Sequence, residues 1–300
     1  MNEATVLAAY AGIVGLAVPW SLRRARWTYQ APGLAIGLWS GLLLSFTVTF
    51  ALLLHHLAAP REPLHDGALR LLHSCTDADA VLYSGPGSDT AQALAPLVVS
   101  GWPLVCGAVA LGLARFRRHS HAGLLDLVAR PAPDLDAVVV DHATPAAYCL
   151  PGRAHRVVVT RGAVVELTAA ELQAVLAHER AHIRGRHHLV AAMLRAFRVA
   201  FPGLPLARAA YEHATVLLEM AADDRARRGR DPRDLASAMC KIAAGRVPGA
   251  GLAAGKTAVV RRAERMLHPP QNPHPVTMAG AGLLILAAPL LPILFACGPR

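Results

Sequence analysis

Four windows of this chain, residues 4–22, 31–54, 90–114 and 276–297, contain no Asp, Glu, Lys or Arg. Each is long enough to cross the hydrocarbon core of a bilayer. Hydrocarbon offers no partner to a free peptide group, so windows of this kind cross as helices. The predicted fold class is therefore a mainly α membrane protein with four transmembrane helices. A hydrophobic content of 54% and a mean hydropathy of +0.37 agree, being too apolar for an ordinary soluble enzyme. The first window is expected to stay as an anchor, because Met1-Asn2-Glu3 carries an acid and no base, unlike a signal-peptide start.

Charge placement orients the spans. Arg23, Arg24 and Arg26 follow the first window, Arg115, Arg117 and Arg118 follow the third, and Arg261, Arg262 and Arg265 precede the fourth. The loop 55–89 holds only Arg61 and Arg70 against Glu62, Asp66, Asp77, Asp79 and Asp89. The positive-inside rule then places the N-terminus and the loop 55–89 outside, and the C-terminal tail outside as well. The expected organisation is a three-span region over 1–115, a cytoplasmic domain over 116–275, and a fourth span with a short external tail over 276–300. Residues 115–277 hold 24 of the 30 Lys and Arg and 14 of the 20 Asp and Glu, so the whole net charge of +10 lies there. That excess suits attraction to anionic lipid at a membrane face. Its bases are dispersed without interleaved aromatics, and direct nucleic-acid binding is not expected. The five cysteines form no metal or redox spacing. Cys75 and Cys297 would both face outside, either paired or as free thiols.

Within the cytoplasmic block lies His178-Glu179-Arg180-Ala181-His182. Thr168 with Glu171 three residues later is a capping-box signature, and helix formers follow. The helix is read as continuing through His187-His188-Leu189 to Phe201, before Pro202-Gly203. Residues i and i+4 of a helix share a face, so both imidazoles can reach one metal ion. Glu179 projects beside that ion. This is the H-E-x-x-H arrangement, in which zinc acidifies a water and the carboxylate takes its proton. A chance spacing is the bland alternative in a chain with 15 histidines. Against it, Leu172, Val175, Leu176 and Ala177 are apolar, and a buried, uncompensated Glu179 would be costly without a metal.

Strands are predicted at Ala137-Val138-Val139-Val140 and Arg156-Val157-Val158-Val159-Thr160, with a third near Ala146–Leu150 ended by Pro151-Gly152. A small sheet beside an HExxH helix either packs that helix or offers an edge on which a peptide lies as an added strand. A helix is predicted from about Leu206 to Arg228, and Asp231-Pro232 opens another.

A catalytic zinc takes three protein ligands and keeps one open position. Two residues compete for the third place. His188 completes HExxHxxGxxH with Gly185, a pattern that requires the helix to break at the glycine. Glu219 on the later helix would instead give a His-His-Glu site, with Asp223 one turn on to hydrogen-bond a ligand histidine. Asp224 is the neighbouring candidate for that role, and His213 lies upstream, either solvated or aimed at an oxyanion.

HERAH, the later Glu219-x-x-Ala222-Asp223, three upstream spans and one downstream span together resemble the integral-membrane zinc peptidases of the BlaR/MecR type. The likeness runs from Met1 to about Cys297. It implies one zinc per chain on His178, His182 and Glu219, with Glu179 as the catalytic base and Asp223 behind the metal. It also implies a zincin-like α+β domain of the gluzincin kind between spans three and four. The sequence ends three residues after Cys297, so what the resemblance carries is the protease without an external penicillin-binding sensor domain. By this likeness the substrate is a protein or peptide, such as a cytoplasmic transcriptional repressor or the chain itself, and the setting is signalling at the cytoplasmic membrane. A quality-control protease, or a non-catalytic scaffold built on the zinc fold, are the rival readings. The intact Glu179 speaks against the scaffold.

Overall fold

The computed structural model describes residues 3–58, 89–152, 155–245 and 252–297, with side chains for all of these except 3, 57–58, 89–100, 252–258 and 296–297. The chain opens with α1 (Glu3–Gly12), a π-helical turn (Ile13–Ala17), α2 (Val18–Arg24) and the short α3 (Trp27–Gln30). Next come α4 (Pro32–Ala58) and the long α5 (Asp89–Val128). Three helical stretches among the described residues are long and apolar enough to cross a membrane: Ala4–Arg24, Pro32–His56 and Pro275–Phe295. The expected third span falls on α5, whose first twelve side chains are outside the described set. Most of the loop 55–89, including Cys75, also lies outside it, as does the Cys297 side chain.

The last helix, α12 (Pro275–Cys297), shows how the apolar helices are held together. It contains Pro289 and Pro292, each of which removes the N–H that would bond the carbonyl four residues earlier. Those carbonyls belong to Ile285 and Ala288. In an apolar surrounding a free carbonyl is expensive, and α1 and α4 supply the remedy at Ala288. Ser45 Oγ donates to Ala288 O at 2.6 Å and Tyr10 OH donates to the same oxygen at 3.1 Å. Ile285 O faces Gly41, where a Cβ would lie 3.1 Å from it. The two prolines therefore fix which faces of α4 and α12 meet.

A four-stranded sheet follows α5, comprising β1 (Ala129–Ala132), β2 (Ala137–Val140), β3 (Ala147–Leu150) and β4 (Arg156–Thr160). Its order is β1-β2-β4-β3, with β2 and β4 parallel and the other pairs antiparallel. The three expected strands are present. The first, β1, reads ARPA and was not foreseen, because a proline argues against a strand unless the strand is at an edge, as here. At the opposite edge β3 runs beside the motif helix.

Helices α6 (Arg161–Glu166), α7 (Ala169–Arg184), α8 (His187–Ala200), α9 (Pro205–Ala226), α10 (Pro232–Ala244) and α11 (Leu252–Leu267) complete the domain. The capping box is formed: Glu171 N donates to Thr168 Oγ1 and Thr168 N to Glu171 Oε2. Two cores flank α9. One joins Trp39 of α4 to Leu194, Leu206 and Leu217. The other packs Val159, Leu176, Ala238 and Met266. The N-terminal part of α9 thus docks on the apolar helix α4.

Glu171 is the polar pin of the second core. Burial alone would raise its pKa, but hydrogen bonds from Lys241 Nζ at 2.8 Å, Ser237 Oγ at 2.6 Å and Thr168 N hold it down to about 2. A carboxylate depressed on folding contributes stability that is complete above its unfolded pKa of about 4.5 and is lost as pH falls toward about 2. Glu171→Gln should therefore destabilise the protein by roughly 2–3 kcal/mol at neutral pH. Thermal unfolding in detergent should show the wild type losing that advantage across this acidic window. A variant as stable as wild type at pH 7 would refute the assignment.

Candidate metal centre

The motif falls on the last two turns of α7, and its neighbours decide what it can do. His178 Nε2 and His182 Nε2 face each other at 3.1 Å. Glu219, from α9, approaches both: Oε1 lies 3.5 Å from His182 Nε2 and Oε2 lies 3.7 Å from His178 Nε2. All three side chains offer ligand atoms within 4.8 Å of one another. Two ligand atoms of a tetrahedral zinc are separated by about 3.3 Å, given bond lengths near 2.05 Å. The three observed separations bracket that value, so the donor set fits a small divalent ion. Charge points the same way. Three carboxylates, Glu179, Glu219 and Asp223, converge here against the single guanidinium of Arg262.

Behind the cluster, His178 Nδ1 lies 3.0 Å from Asp223 Oδ1. The two are close enough to pair, although the ring N–H is not aligned for a full hydrogen bond. Asp223 is 1% exposed and receives both arms of Arg262, from Nε to Oδ2 at 2.8 Å and from Nη2 to Oδ1 at 2.7 Å. Arg262 Nη1 also reaches Glu219 Oε2 at 2.9 Å. One planar fork thus spaces two acids on successive turns of α9, which a lysine could not do. Asp224, by contrast, is turned away and held by Arg265 at 2.7 Å.

These contacts set the protonation of the cluster. Burial would push Glu219 up, but His178, Arg262 and His182 bring it down to about 2. Burial alone would lower His178, yet Asp223 and Glu219 outweigh it and raise it to about 9. His182 moves the other way, its pKa lowered mainly by burial. For Glu179, burial raises the pKa above the usual carboxylate range, opposed by His178 and by contact with Cys149 of β3. The Cys149 thiol is pushed up to about 12, by burial first and by Glu179 next. The thiol is therefore neutral and lies beside the carboxylate.

The helix does not run on to Phe201 as its composition suggests. It ends at Arg184, with Gly185 N bonded to Ala181 O at 2.9 Å, and Arg186 takes a left-handed conformation at φ 50. A Cβ at Gly185 would lie 2.4 Å from His187 Nε2, so only glycine leaves that ring its place. The break delivers His187, not His188, to the centre. His187 Nδ1 lies 2.9 Å from His182 Nδ1, opposite the nitrogen that faces Glu219. The pKa of His188 is lowered by burial and by Arg118, His155 and Arg186, none of them in the His-His-Glu cluster. His213 is neither solvated nor turned to the site. It is buried, accepts from Trp39 Nε1 at 3.2 Å, and packs on Tyr29. Sequence reasoning missed His187, Cys149 and Arg262. Only Cys149 carried a signal, since a residue on a strand beside an HExxH helix is well placed to touch it.

Residues 117–243 match the model for peptidase family M48. That family comprises membrane-associated zinc metallopeptidases, and the match implies metallopeptidase activity. It covers somewhat under half of the chain, from the lower part of α5 into α10, and contains His178, Glu179, His182, Glu219 and Asp223 but not Arg262. No curated protein and no solved structure matches the chain.

Arg262→Gln should weaken zinc by about 10- to 100-fold, as loss of a group that orients ligands does. Glu219→Ala should abolish stoichiometric metal, and His188→Ala should leave it intact. Chelator competition and metal analysis of the purified variants measure all three. Zinc retained in Glu219→Ala but lost in His188→Ala would reverse the assignment.

Proposed function

We propose that this protein is a multi-pass membrane zinc endopeptidase of the HExxH, gluzincin type. His178, His182 and Glu219 hold one zinc ion, Asp223 steadies His178, and Glu179 is the catalytic base. The observation that carries the reading is the convergence of two imidazole nitrogens and one carboxylate at ligand spacing, with Glu179 next to the first histidine. When bound, zinc supplies Lewis acidity to water and to the peptide carbonyl.

The chain's own groups do the rest. Glu179 accepts the proton of the attacking water and hands it to the leaving amine. Its raised pKa suits that exchange, because a base of very low pKa would hold the proton too weakly. Cys149 restrains the carboxylate through its thiol. The outer edge of β3 lies beside α7, and a substrate segment pairing there would bring its carbonyl to the centre.

The apolar helices support a bilayer setting. The arginine distribution supports an external N-terminus and a cytoplasmic peptidase domain over 116–275, followed by a fourth span and an external tail. The motif and span arrangement resemble BlaR/MecR-type peptidases. On that likeness the substrate is a cytoplasmic repressor or the chain itself, cleaved in regulated proteolysis.

Glu179→Ala should keep one zinc per chain and lower peptide hydrolysis by at least about 100-fold. A fluorogenic peptide or casein assay beside metal analysis reads both. Undiminished cleavage by zinc-loaded Glu179→Ala would rule out this mechanism.

A further inference from the structure

A polar cavity lies apart from the metal centre, between the end of α3, the C-terminal end of α9 and α11. It has a volume of about 410 Å³, within the range of small-ligand sites. Its walls include Gln30, Asp224, Arg227, Arg228, Arg265 and Asn272. Gln30 ends α3, two residues before Pro32 opens α4, and Asn272 comes three residues before Pro275 opens α12. Arg265 Nε donates to Tyr29 O at 2.9 Å, tying α11 to the turn between the first two spans. The cavity therefore lies at the level where two candidate membrane helices begin.

Three arginines here face a single acid. Asp224 is occupied by Arg265 through two hydrogen bonds of 2.7 and 2.8 Å, and Arg227 stands 3.4 Å away. Arg228 is exposed and enters no ion pair among the described residues. Gln30 and Asn272 add amide donors. Pro232, at the first turn of α10, completes this wall, and the positive end of that helix is already met by Asp231 and Asp234.

We infer that this cavity binds the phosphate of an anionic phospholipid headgroup. Arg227 and Arg228 supply the charge, and Gln30 and Asn272 donate to the remaining oxygens. Guanidinium groups suit phosphate because their paired N–H donors match two of its oxygens. A free phosphate would meet the same groups, but the position between the starts of α4 and α12 brings the mouth to the lipid headgroups. This site stands independently of the peptidase reading and rests on the membrane setting alone.

The test uses full-length protein in nanodiscs of equimolar phosphatidylglycerol and phosphatidylcholine, with retained lipid counted by native mass spectrometry after release. Wild type should retain phosphatidylglycerol in preference, and excess inorganic phosphate should not displace it. Arg227→Gln/Arg228→Gln should lose that preference by roughly tenfold. The control pair Arg130→Gln/Arg161→Gln removes equal charge outside the cavity, on the sheet side of the domain away from the span ends, and should behave as wild type. Zinc content and melting temperature verify that the double variant is folded. If it is not, the exposed Arg228→Gln alone carries the comparison. Three results would overturn the inference: no lipid preference in wild type, equal loss in the control pair, or displacement of phosphatidylglycerol by inorganic phosphate.

Discussion

Everything in the proposed centre depends on keeping Glu219 and Asp223 ionised side by side in a poorly solvated place. Two carboxylates one helical turn apart repel, and burial penalises the charge on both. Arg262 resolves the conflict by spanning them: its Nε and Nη2 bond Asp223 while Nη1 pairs with Glu219. What it leaves over, together with Glu179, is two negative charges facing two imidazoles. That remainder is what a divalent ion would neutralise. The same acids make His178 more basic, whereas burial outweighs them at His182 and makes it less so.

The clamp also joins the centre to the apolar helices. Arg262 and Arg265 lie on α11, which leads toward α12, and both grip the C-terminal half of α9. The N-terminal half of α9 is buried against Trp39 and other residues of α4. A buried histidine, His213, closes the joint by accepting a hydrogen bond from Trp39. The third candidate ligand is thus mounted on a helix fixed at one end by α4 and at the other by paired arginines. A rigid mounting of this kind suits a site whose chemistry needs its donors positioned to within a fraction of an ångström.

Local signals carried much of this into the sequence. The capping box of Thr168 and Glu171, the i,i+4 histidines, the Val-rich strands and three of the four uncharged windows each express a short-range rule, and each recurs in the structure. Glu219 needed more, because no spacing rule links residues on different helices; there a family likeness chose between it and His188. Arg262 was hidden for the same reason, being brought in by tertiary packing alone, whereas His187 was hidden by the unforeseen break at Gly185. The end of α7 was misread for a different cause. Helix formers surround Gly185, yet the fold needs the space a side chain there would fill. The strand β1 escaped notice because Pro131 counts against a strand everywhere except at an edge.

The most direct test of the proposed centre is the zinc K-edge absorption fine structure of the loaded, full-length protein. The account predicts a first shell of two imidazole nitrogens and oxygen donors at about 2.0–2.2 Å. One oxygen should be lost in Glu219→Gln if enough metal remains bound to measure. A third imidazole in that shell, or sulfur at about 2.3 Å from Cys149, would contradict it.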